Sequence, residues 1–244
     1  MIRVAAVGDV HYDHRSRPEF KLHFSLLREH ADLLLLAGDL TQAGTIEEAK
    51  ALSEDLAQST VPVITVLGNH DHHSNKQNEI CAVLKDHGVI ILEGNSQILK
   101  VKDFRVGVVG IKGFGGGFMG ACVAEFGEQE TKSFARYSKS QAEILRSNLE
   151  SVKDTDFRFA LMHFSPIEGT LLGEKREIYP FLGSYLLGEA LDQVGVHAAF
   201  HGHAHHGIEK GMTPAGIPVR NVALPVIRHI YHVYTFKQSE VTHI

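Results

Sequence analysis

Tryptophan is absent from the 244-residue sequence, and cysteine occurs only twice, at Cys81 and Cys122. Two cysteines cannot build a disulfide framework, and low cysteine usage is typical of proteins from a reducing compartment, so we expect a cytoplasmic protein. A chain of this length can bury a sizeable hydrophobic core without covalent cross-links. We therefore expect packing, rather than disulfides, to hold the fold.

Long hydrophobic runs are missing as well. The longest wholly apolar run, Leu33 to Ala37, is far shorter than the roughly 20 residues that a membrane-spanning helix needs. The apolar stretch from Ile2 to Val7 runs directly into Gly8 and Asp9, without the long apolar region and cleavage site of a signal peptide. We therefore predict neither a membrane span nor a targeting segment.

An excess of positive charge is also lacking, because 24 Lys and Arg residues face 29 Asp and Glu residues, for a net charge of -5. An acidic chain without Lys/Arg clusters is poorly suited to grip a long polyanion, so the sequence predicts no extended nucleic-acid binding and favours a small substrate. Histidine, by contrast, is abundant, with 17 residues. The imidazole side chain is therefore the first place to look for chemistry.

Hydrophobic periodicity predicts that strands alternate with helices in the first half of the chain. The unbroken leucines of the second predicted strand indicate burial on both faces, as in the centre of a parallel sheet. Two predicted helices are preceded by residues with capping-box spacing, Thr45 with Glu48 and Ser74 with Gln77. The predicted strands here are 2–7, 32–37 and 61–67, and the predicted helices are 19–30, 45–58 and a third that ends near residue 87.

From Val89 to Gly110, the turn sequences Glu93-Gly94-Asn95 and Lys102-Asp103 separate three short apolar runs, which indicates a second sheet. We expect the glycine-rich residues 111–137 to be irregular and a helix to run from Ser138 to about Val152. A strand at 157–162, a long loop at 163–182 before a short helix, and strands at 198–200, 217–222 and 230–236 complete the prediction. The sequence thus predicts an α/β fold in a single domain, residues 1–244, with two packed sheets and outer helices.

Asp and His residues cluster where the predicted strands end. Because ligands bind in the crevice beyond the carboxyl ends of strands in open α/β sheets, we expect these residues to converge. Asp9 with His11, and His203 with His205, are two residues apart and so point to the same side of an extended chain. The residues at strand ends are Asp9, His11, Asp39, Asn69, His70, Asp71, His163, His203 and His205.

Each of these residues alone has a purely structural explanation, because Asp and Asn after Gly are common in turns and helix caps. Seven of them, two Asp, one Asn and four His, are together what a site for two metal ions needs. Carboxylate oxygen and neutral imidazole suit Mn, Fe and Zn, and one carboxylate can bridge two ions. The sequence therefore predicts a two-metal site.

Five short blocks, taken in order, resemble the signature blocks of the calcineurin-like metallophosphoesterases. They are Gly8-Asp9-Val10-His11, Gly38-Asp39, Gly68-Asn69-His70-Asp71, His163 and Gly202-His203-Ala204-His205. They span residues 8–205, and their conjunction is far more specific than any single block. The resemblance implies a four-layer αββα sandwich of two mixed β-sheets flanked by helices, with the metal site at the C-terminal ends of the strands.

The resemblance also implies how these residues divide the work. Two ions about 3.5 to 4 Å apart acidify a bridging water to hydroxide, neutralise phosphoryl oxygens and support in-line attack at phosphorus. One ion would be held by Asp9, His11 and His205, the other by Asn69, His163 and His203, and Asp39 would bridge the two.

Two details of this assignment have alternatives. His201 and His203 have the same spacing as His203 and His205, and we prefer the latter pair because the family's pair follows a glycine. His70 is not among the family's usual ligands, and the resemblance implies that it stabilises or protonates the leaving oxygen, with Asp71 beside it to orient the ring. The structural explanation for His70 is a hydrogen-bonded histidine in a turn.

The loops around the blocks offer candidate substrate contacts. Tyr12 follows the first block, and Arg176 lies in the long loop after His163, where it could clamp a phosphate or carboxylate, although charged loop residues are commonly just solvated. Residues 113–120 lack the Gly-Lys-Ser/Thr ending of a phosphate loop. We expect them to form a mobile loop flanking the site, whose Phe114 and Phe118 contact an apolar part of a substrate or pack the loop down.

These observations predict a metal-dependent hydrolase of a small phosphodiester, cyclic nucleotides among them, or of a phosphomonoester, with diesters favoured. The alternative is a non-catalytic protein-interaction module that retains this fold, but such a module would be expected to lose ligands or the residue at position 70. A two-metal hydrolase of amides or esters fits the ligand types but not the Gly-Asn-His-Asp block.

Overall fold

The computed structural model describes residues 1–238, which form two large mixed sheets with helices on their outer faces. The strands are β1 (Ile2–Val7), β2 (Leu33–Ala37), β3 (Val63–Val66), β4 (Ile90–Ile91), β5 (Asn95–Val101), β6 (Phe104–Ile111), β7 (Gly117–Phe118), β8 (Ala121–Cys122), β9 (Phe157–Met162), β10 (Ala198–His201), β11 (Lys210–Met212), β12 (Pro218–Asn221) and β13 (His232–Phe236). The α-helices are α1 (Pro18–Ser25), α2 (Leu27–His30), α3 (Ile46–Leu56), α4 (Gln77–Asp86), α5 (Gln129–Ser151), α6 (Tyr179–Leu182), α7 (Tyr185–Val194) and α8 (Leu224–Ile227).

Both sheets are parallel at their centres, and antiparallel strands occur only at edges. The first has the order β13-β1-β2-β3-β4, in which only the edge strand β13 is antiparallel. The second has the order β11-β12-β10-β9-β6-β5, in which the edge strands β11 and β5 are antiparallel. Strands β7 and β8 pair separately. The predicted architecture of two mixed sheets flanked by helices is confirmed.

The strand alternation divides the apolar side chains among three core layers. Successive residues of a strand point to opposite faces, so β1 sends Val4 and Ala6 between the sheets and Ala5 and Val7 under the outer helices. The leucines of β2 divide in the same way, which explains their unbroken run. A third core lies between the second sheet and the helices α5 and α7. The order of layers is therefore helices, sheet, sheet, helices.

One of the two predicted capping boxes is confirmed. Thr45 accepts a hydrogen bond from the Glu48 backbone N–H, and the Glu48 carboxylate accepts one from the Thr45 N–H. The Ser74 box is wrong, because α4 begins after Lys76 without a side-chain cap. The Ser74 hydroxyl instead donates to the carbonyl oxygen of Ala43 at 2.7 Å.

Several element boundaries also differ from the sequence prediction. The expected helix at 19–30 is two helices that meet at Leu26. Helix α5 begins at Gln129, well before the expected Ser138. Its first turns are mostly exposed and lack apolar periodicity, so the sequence pattern does not indicate them. In the structure, the contact of Phe134 with Phe114 holds these turns in place. The first apolar run of the stretch 89–110, expected in the second sheet, forms β4 (Ile90–Ile91) at the edge of the first sheet.

Both cysteines are free, in agreement with the absence of a disulfide framework. Among residues 1–238, none of the helices combines the length and the apolar character needed to cross a bilayer.

Candidate metal centre

The polar residues that follow five parallel strands lie together at one edge of the sandwich. Asp9, Asp39 and Asn69 come after β1, β2 and β3 of the first sheet. His163 directly follows β9, and His203 and His205 follow β10, both in the second sheet. The two sheets therefore contribute to a single centre between their carboxyl ends.

Four of these residues have left-handed backbone conformations. The φ angles are 55° at Asp9, 43° at His11, 49° at Asp39 and 70° at His203. Such angles are uncommon for residues other than glycine and cluster where function requires a particular side-chain direction. The chain thus bears backbone strain at the positions that aim side chains into this centre.

Glycines let the backbone approach the two aspartates closely. A Cβ atom at Gly68 would collide with the Asp39 carboxylate, and one at Gly202 would collide with that of Asp9. Without a Cβ there, backbone N–H groups that follow each glycine can donate hydrogen bonds to the two carboxylates. The His70 N–H lies 2.8 Å from Asp39 Oδ1, and the His203 N–H lies 2.9 Å from Asp9 Oδ2, so both carboxylates are held in position.

The side chains form two groups that share one carboxylate. Within each group the potential ligand atoms lie within 4.8 Å of one another, as a metal ion requires. Because Asp39 belongs to both groups, two ions would be neighbours. The first group is Asp9, His11, Asp39 and His205, and the second is Asp39, His163 and His203.

The hydrogen bonds of His163 leave acceptor atoms in the second group that a cation would stabilise. Its Nδ1 lies 2.9 Å from the carbonyl oxygen of Ala37, which can only accept, so Nδ1 carries the hydrogen. Its Nε2 then faces Asn69 Oδ1 at 2.9 Å and Asp39 Oδ1 at 3.4 Å. Burial lowers the pKa of His163 well below its usual range, so a proton on Nε2 is disfavoured. Three acceptors without a proton fit a cation between them.

The first group also contains polar atoms that a cation would stabilise. Both ring nitrogens of His11 are buried without a hydrogen-bond partner, although buried polar atoms are rarely left unpaired. Burial lowers the pKa of His11 to about 4, which keeps the ring neutral and able to act as a ligand. Burial also raises the pKa of Asp9, whose Oδ1 lies 2.8 Å from His205 Nε2. The donor set and its unpaired atoms therefore fit metal binding in both groups.

The structure corrects the expected contact between Asp71 and His70. The Asp71 carboxylate is fully buried and accepts hydrogen bonds from the backbone N–H groups of Leu40, Thr41 and Gly68 and from the Thr41 hydroxyl, not from His70. The His70 ring is instead held by the carbonyl oxygen of Gln42, 2.7 Å from Nδ1. Asp71 organises the turn that carries Asn69 and His70 rather than the ring.

Tyr12 does not line the mouth of the centre, contrary to the sequence prediction. Its side chain is completely buried, and its hydroxyl donates to Asp55 Oδ2 at 3.0 Å. The guanidinium of Arg17 lies over the Tyr12 ring and donates to the carbonyl oxygens of Val10 and His11. The segment after β1 thus holds the backbone of His11 in place.

The histidines of the last block point in different directions. His201 is fully buried, and its Nε2 lies 2.8 Å from the Thr170 hydroxyl, away from both groups. His203 and His205 point into the second and first groups. His203 Nε2 donates to the carbonyl oxygen of Phe181 at 3.1 Å, which leaves Nδ1 free to act as the ligand atom.

The two loop features considered from sequence have different surroundings. Arg176 is exposed in a short 3₁₀ turn, and its role as a clamp stays a prediction. In the glycine-rich segment, Phe118 is buried against Tyr179, so it packs the segment down. Phe114 lines a cleft beside the centre together with Asn69 and His203.

Sequence reasoning missed three other aromatic walls of this cleft, Phe134, Phe164 and Phe181. They come from helix α5, the segment after β9 and the short helix α6, so no local pattern connects them. It also missed the Gln42 carbonyl, because a backbone atom leaves no signal in the residue type.

Comparison with known proteins identifies the family of the chain. A model of the calcineurin-like phosphoesterase family matches residues 2–207. The probable glycerophosphodiester phosphodiesterase GpdQ of Arcobacter nitrofigilis is 31% identical over 90 residues, which are 37% of this chain and 31% of that protein. The match therefore spans less than a third of that relative's length.

Solved structures share the fold. The phosphopantetheinyl hydrolase PptH from Mycobacterium tuberculosis superposes with a TM-score of 0.69 at 15% identity, over 92% of this chain and 90% of that one. TT1561 of Thermus thermophilus gives a TM-score of 0.60 at 17% identity, over 90% of this chain and 88% of that one. At these identities the similarity concerns the fold alone.

Proposed function

Since the chain belongs to the calcineurin-like phosphoesterase family, we propose that it hydrolyses small phosphoesters with two metal ions held at this centre. The observation that carries the proposal is the position of Asp39, which is shared by two groups of potential ligands. Neutral imidazoles and carboxylates of this kind suit Mn, Fe and Zn.

The proposed ligand sets follow the geometry of the two groups. Asp9, His11 and His205 would hold one ion, Asn69, His163 and His203 would hold the other, and Asp39 would bridge them. When bound, such a pair of ions neutralises the phosphoryl oxygens of a substrate and lowers the pKa of a water molecule.

His70 is the proposed proton donor to the leaving oxygen. The Gln42 carbonyl holds its Nδ1, so Nε2 is the atom that faces the centre, 4.0 Å from Asp39 Oδ2. A protonated Nε2 can donate to an alkoxide as the P–O bond breaks, which matters most for alcohols with high pKa values. Asp71 contributes by holding the turn that places His70.

We favour phosphodiesters over phosphomonoesters as substrates, with cyclic nucleotides among them. The partial match to a probable glycerophosphodiester phosphodiesterase supports this preference. A reducing, cytoplasmic location is the corresponding proposal for the cell, supported by the free thiols of Cys81 and the exposed Cys122.

The test is hydrolysis of bis(p-nitrophenyl) phosphate and p-nitrophenyl phosphate by the purified protein. We expect turnover with added Mn²⁺, loss of turnover after chelation, and recovery when Mn²⁺ is restored, with the diester preferred. Absence of turnover with either substrate in Mn²⁺, Fe²⁺ or Zn²⁺ would reject the enzyme and favour a non-catalytic interaction module. A control with the exposed Phe126 replaced by Ala, F126A, should behave as the wild type.

A further inference from the structure

An apolar cleft with a volume of about 480 Å³ opens beside the candidate metal centre. None of the described residues that line it is Asp, Glu, Lys or Arg. His203 of the second group and Asn69, whose Oδ1 lies 2.9 Å from His163 Nε2 of that group, form part of its wall, so the cleft is continuous with the centre. The other wall residues are Phe114, Gly115, Phe134, Phe164, Ile178, Phe181 and Leu182.

A row of aromatic rings runs along the cleft from the metal centre to the surface. The ring centroids of His203 and Phe164 are 4.4 Å apart, and those of Phe164 and Phe114 are 5.8 Å apart. Phe134 follows at 4.8 Å from Phe114, and Phe181 at 6.1 Å from Phe134. The Phe181 side chain is 61% exposed. Such a surface offers ring faces and edges to a flat apolar group.

The walls are held together without a ligand. The Gly116 N–H donates to the carbonyl oxygen of Pro180 at 2.7 Å, which fixes the glycine-rich segment against α6. The ammonium group of Lys112 lies 5.3 Å from the centroid of Phe114 and 5.2 Å from that of Phe164, and these cation–π contacts tie two wall rings to one another. A preformed cleft binds a ligand without the entropic cost of ordering its own walls.

The cleft and His70 lie against different ligand groups. The His70 ring packs on His11 of the first group, with centroids 4.5 Å apart, whereas the cleft includes His203 of the second group. If His70 serves the leaving oxygen, as proposed above, the cleft is placed for another part of the substrate. In a phosphodiester that part is the ester group that stays on phosphorus.

We propose that the cleft binds the retained ester group of a phosphodiester and that this group is an uncharged aromatic ring. The inference rests on the proposed function and deepens it. A phosphomonoester has no second ester group, so it gains nothing from the cleft. The absence of Asp, Glu, Lys and Arg from the described walls disfavours retained groups that carry a charge, and polar groups such as glycerol would lose hydrogen bonds to water.

Three substrates with the same leaving group isolate the retained group. They are p-nitrophenyl phenyl phosphate, methyl p-nitrophenyl phosphate and p-nitrophenyl phosphate. In each reaction water adds to phosphorus and the P–O bond to p-nitrophenolate breaks, which leaves phenyl phosphate, methyl phosphate or inorganic phosphate. With Mn²⁺ we expect kcat/KM for the phenyl ester to exceed that for the methyl ester by at least about tenfold, because a buried ring gains contact area that a methyl group lacks.

Variants of the wall test whether the cleft causes this preference. F181A and F134A should each reduce the phenyl-to-methyl ratio of kcat/KM toward the ratio of the uncatalysed reactions. F126A, which removes a phenylalanine that is 82% exposed and outside the cleft, should preserve the ratio. A ratio that is unchanged in both wall variants would overturn the inference, as would a phosphomonoester hydrolysed as efficiently as the phenyl diester.

Binding gives a measurement that does not depend on turnover. Phenylphosphonate and methylphosphonate carry their organic group on a C–P bond that cannot leave, so they mimic a retained group. Calorimetry on the Mn²⁺-loaded protein should give an affinity about tenfold tighter for phenylphosphonate, and F181A should abolish the difference. Equal affinities in the wild type would overturn the inference.

The outcomes separate the inference from the proposed function. Turnover of all three substrates without discrimination overturns the inference and leaves the proposed function intact, whereas no turnover of any of them in any metal overturns both. A second copy of the chain is the competing occupant of the cleft. A dimer in size-exclusion chromatography that F181A dissociates would assign the cleft to a protein interface and reject the substrate role.

Discussion

The Nδ1 atom of His70 lies 2.7 Å from the backbone carbonyl oxygen of Gln42. A carbonyl oxygen only accepts hydrogen bonds, so Nδ1 carries a hydrogen whether the His70 ring is neutral or protonated, and Nε2 is the atom that faces the centre and can gain or lose a proton. The main chain thus fixes both the tautomer and the direction of the ring. The side chain at position 42 is exposed and takes no part in this contact.

If Nε2 protonates the leaving oxygen, the effect of removing it depends on the leaving group. We expect H70A to reduce kcat about 10²-fold or more on a diester with an alcohol leaving group, and much less on a p-nitrophenyl ester, whose phenolate leaves without a proton. Metal content, measured by mass spectrometry, should equal that of the wild type. Loss of an ion would instead make His70 a ligand.

The matched control for this prediction is Q42A. Because the contact comes from the carbonyl oxygen, the substitution should leave kcat and its pH profile unchanged on both substrates. A pH profile that shifts in Q42A would show that the Gln42 side chain, and not its backbone, positions His70.

Replacing Asp71 should affect stability before chemistry. Its carboxylate accepts four hydrogen bonds from Leu40, Thr41 and Gly68, and an amide NH₂ group in D71N would face some of these donors. We expect the free energy of unfolding in urea to fall by about 1–3 kcal/mol, as for other buried groups left unpaired. As D71N loosens the turn that carries Asn69 and His70, activity should fall equally on substrates with good and with poor leaving groups. A loss confined to poor leaving groups would return Asp71 to the role of orienting His70.

The assignment of the last histidine block can be tested by metal content. His205 Nε2 lies 2.8 Å from Asp9 Oδ1, whereas His201 Nε2 lies 2.8 Å from the Thr170 hydroxyl. We expect H205A to bind one equivalent of metal less than the wild type. H201Q, which keeps a hydrogen-bonding group near Thr170, should retain the full metal content and be less stable to heat. The opposite pattern would move the ligand to His201.

The strand pattern and the five blocks could be predicted because their signals are local. The leucines of β2 indicated a strand buried on both faces, and they pack into two cores. Glycine before Asp39, Asn69 and His203 indicated tight turns, and two of these glycines are needed because aspartate carboxylates lie where a Cβ would be. The location of the candidate metal centre could therefore be predicted from local sequence patterns.

Features that depend on distant or backbone partners could not be predicted. Tyr12 is buried because its hydroxyl meets Asp55, which is 43 residues away in the chain. The apolar cleft joins Phe114, Phe134 and Phe181 from three separate segments. In each case the residue type fits an exposed position as well as the one observed, and only the tertiary structure decides between these two positions.

A final prediction concerns Asp32, which links the two sheets at the end of the strands opposite to the metal centre. Asp32, just before β2, accepts hydrogen bonds from the Arg3 N–H at 2.8 Å, from the Arg3 guanidinium at 3.1 Å and from Lys102 Nζ at 2.6 Å. Lys102 belongs to the turn between β5 and β6, so Asp32 connects the first sheet with the second. Burial alone would raise the pKa of Asp32, but the bonds from Lys102 and Arg3 outweigh it and hold the pKa below its usual value of 3.8.

A carboxyl group whose pKa is depressed in the folded state stabilises that state above its unfolded pKa, and this stabilisation is lost as the pH falls through the folded pKa. At pH 7 we expect D32N to lower the free energy of unfolding by only about 1 kcal/mol, because Lys102 is 44% exposed and solvent screens the pair. At about pH 4 the carboxyl group of the unfolded chain begins to be protonated, whereas that of the folded protein is protonated only at lower pH. The difference between D32N and the wild type should therefore begin to shrink at about pH 4 and continue to shrink as the pH falls further. Urea unfolding at pH 7 and pH 3.5 measures both values, with E150Q, in an exposed pair with Lys153, as a control that should change neither. A difference that stays the same at pH 3.5 would mean that shape or packing at Asp32, rather than its charge, joins the two sheets.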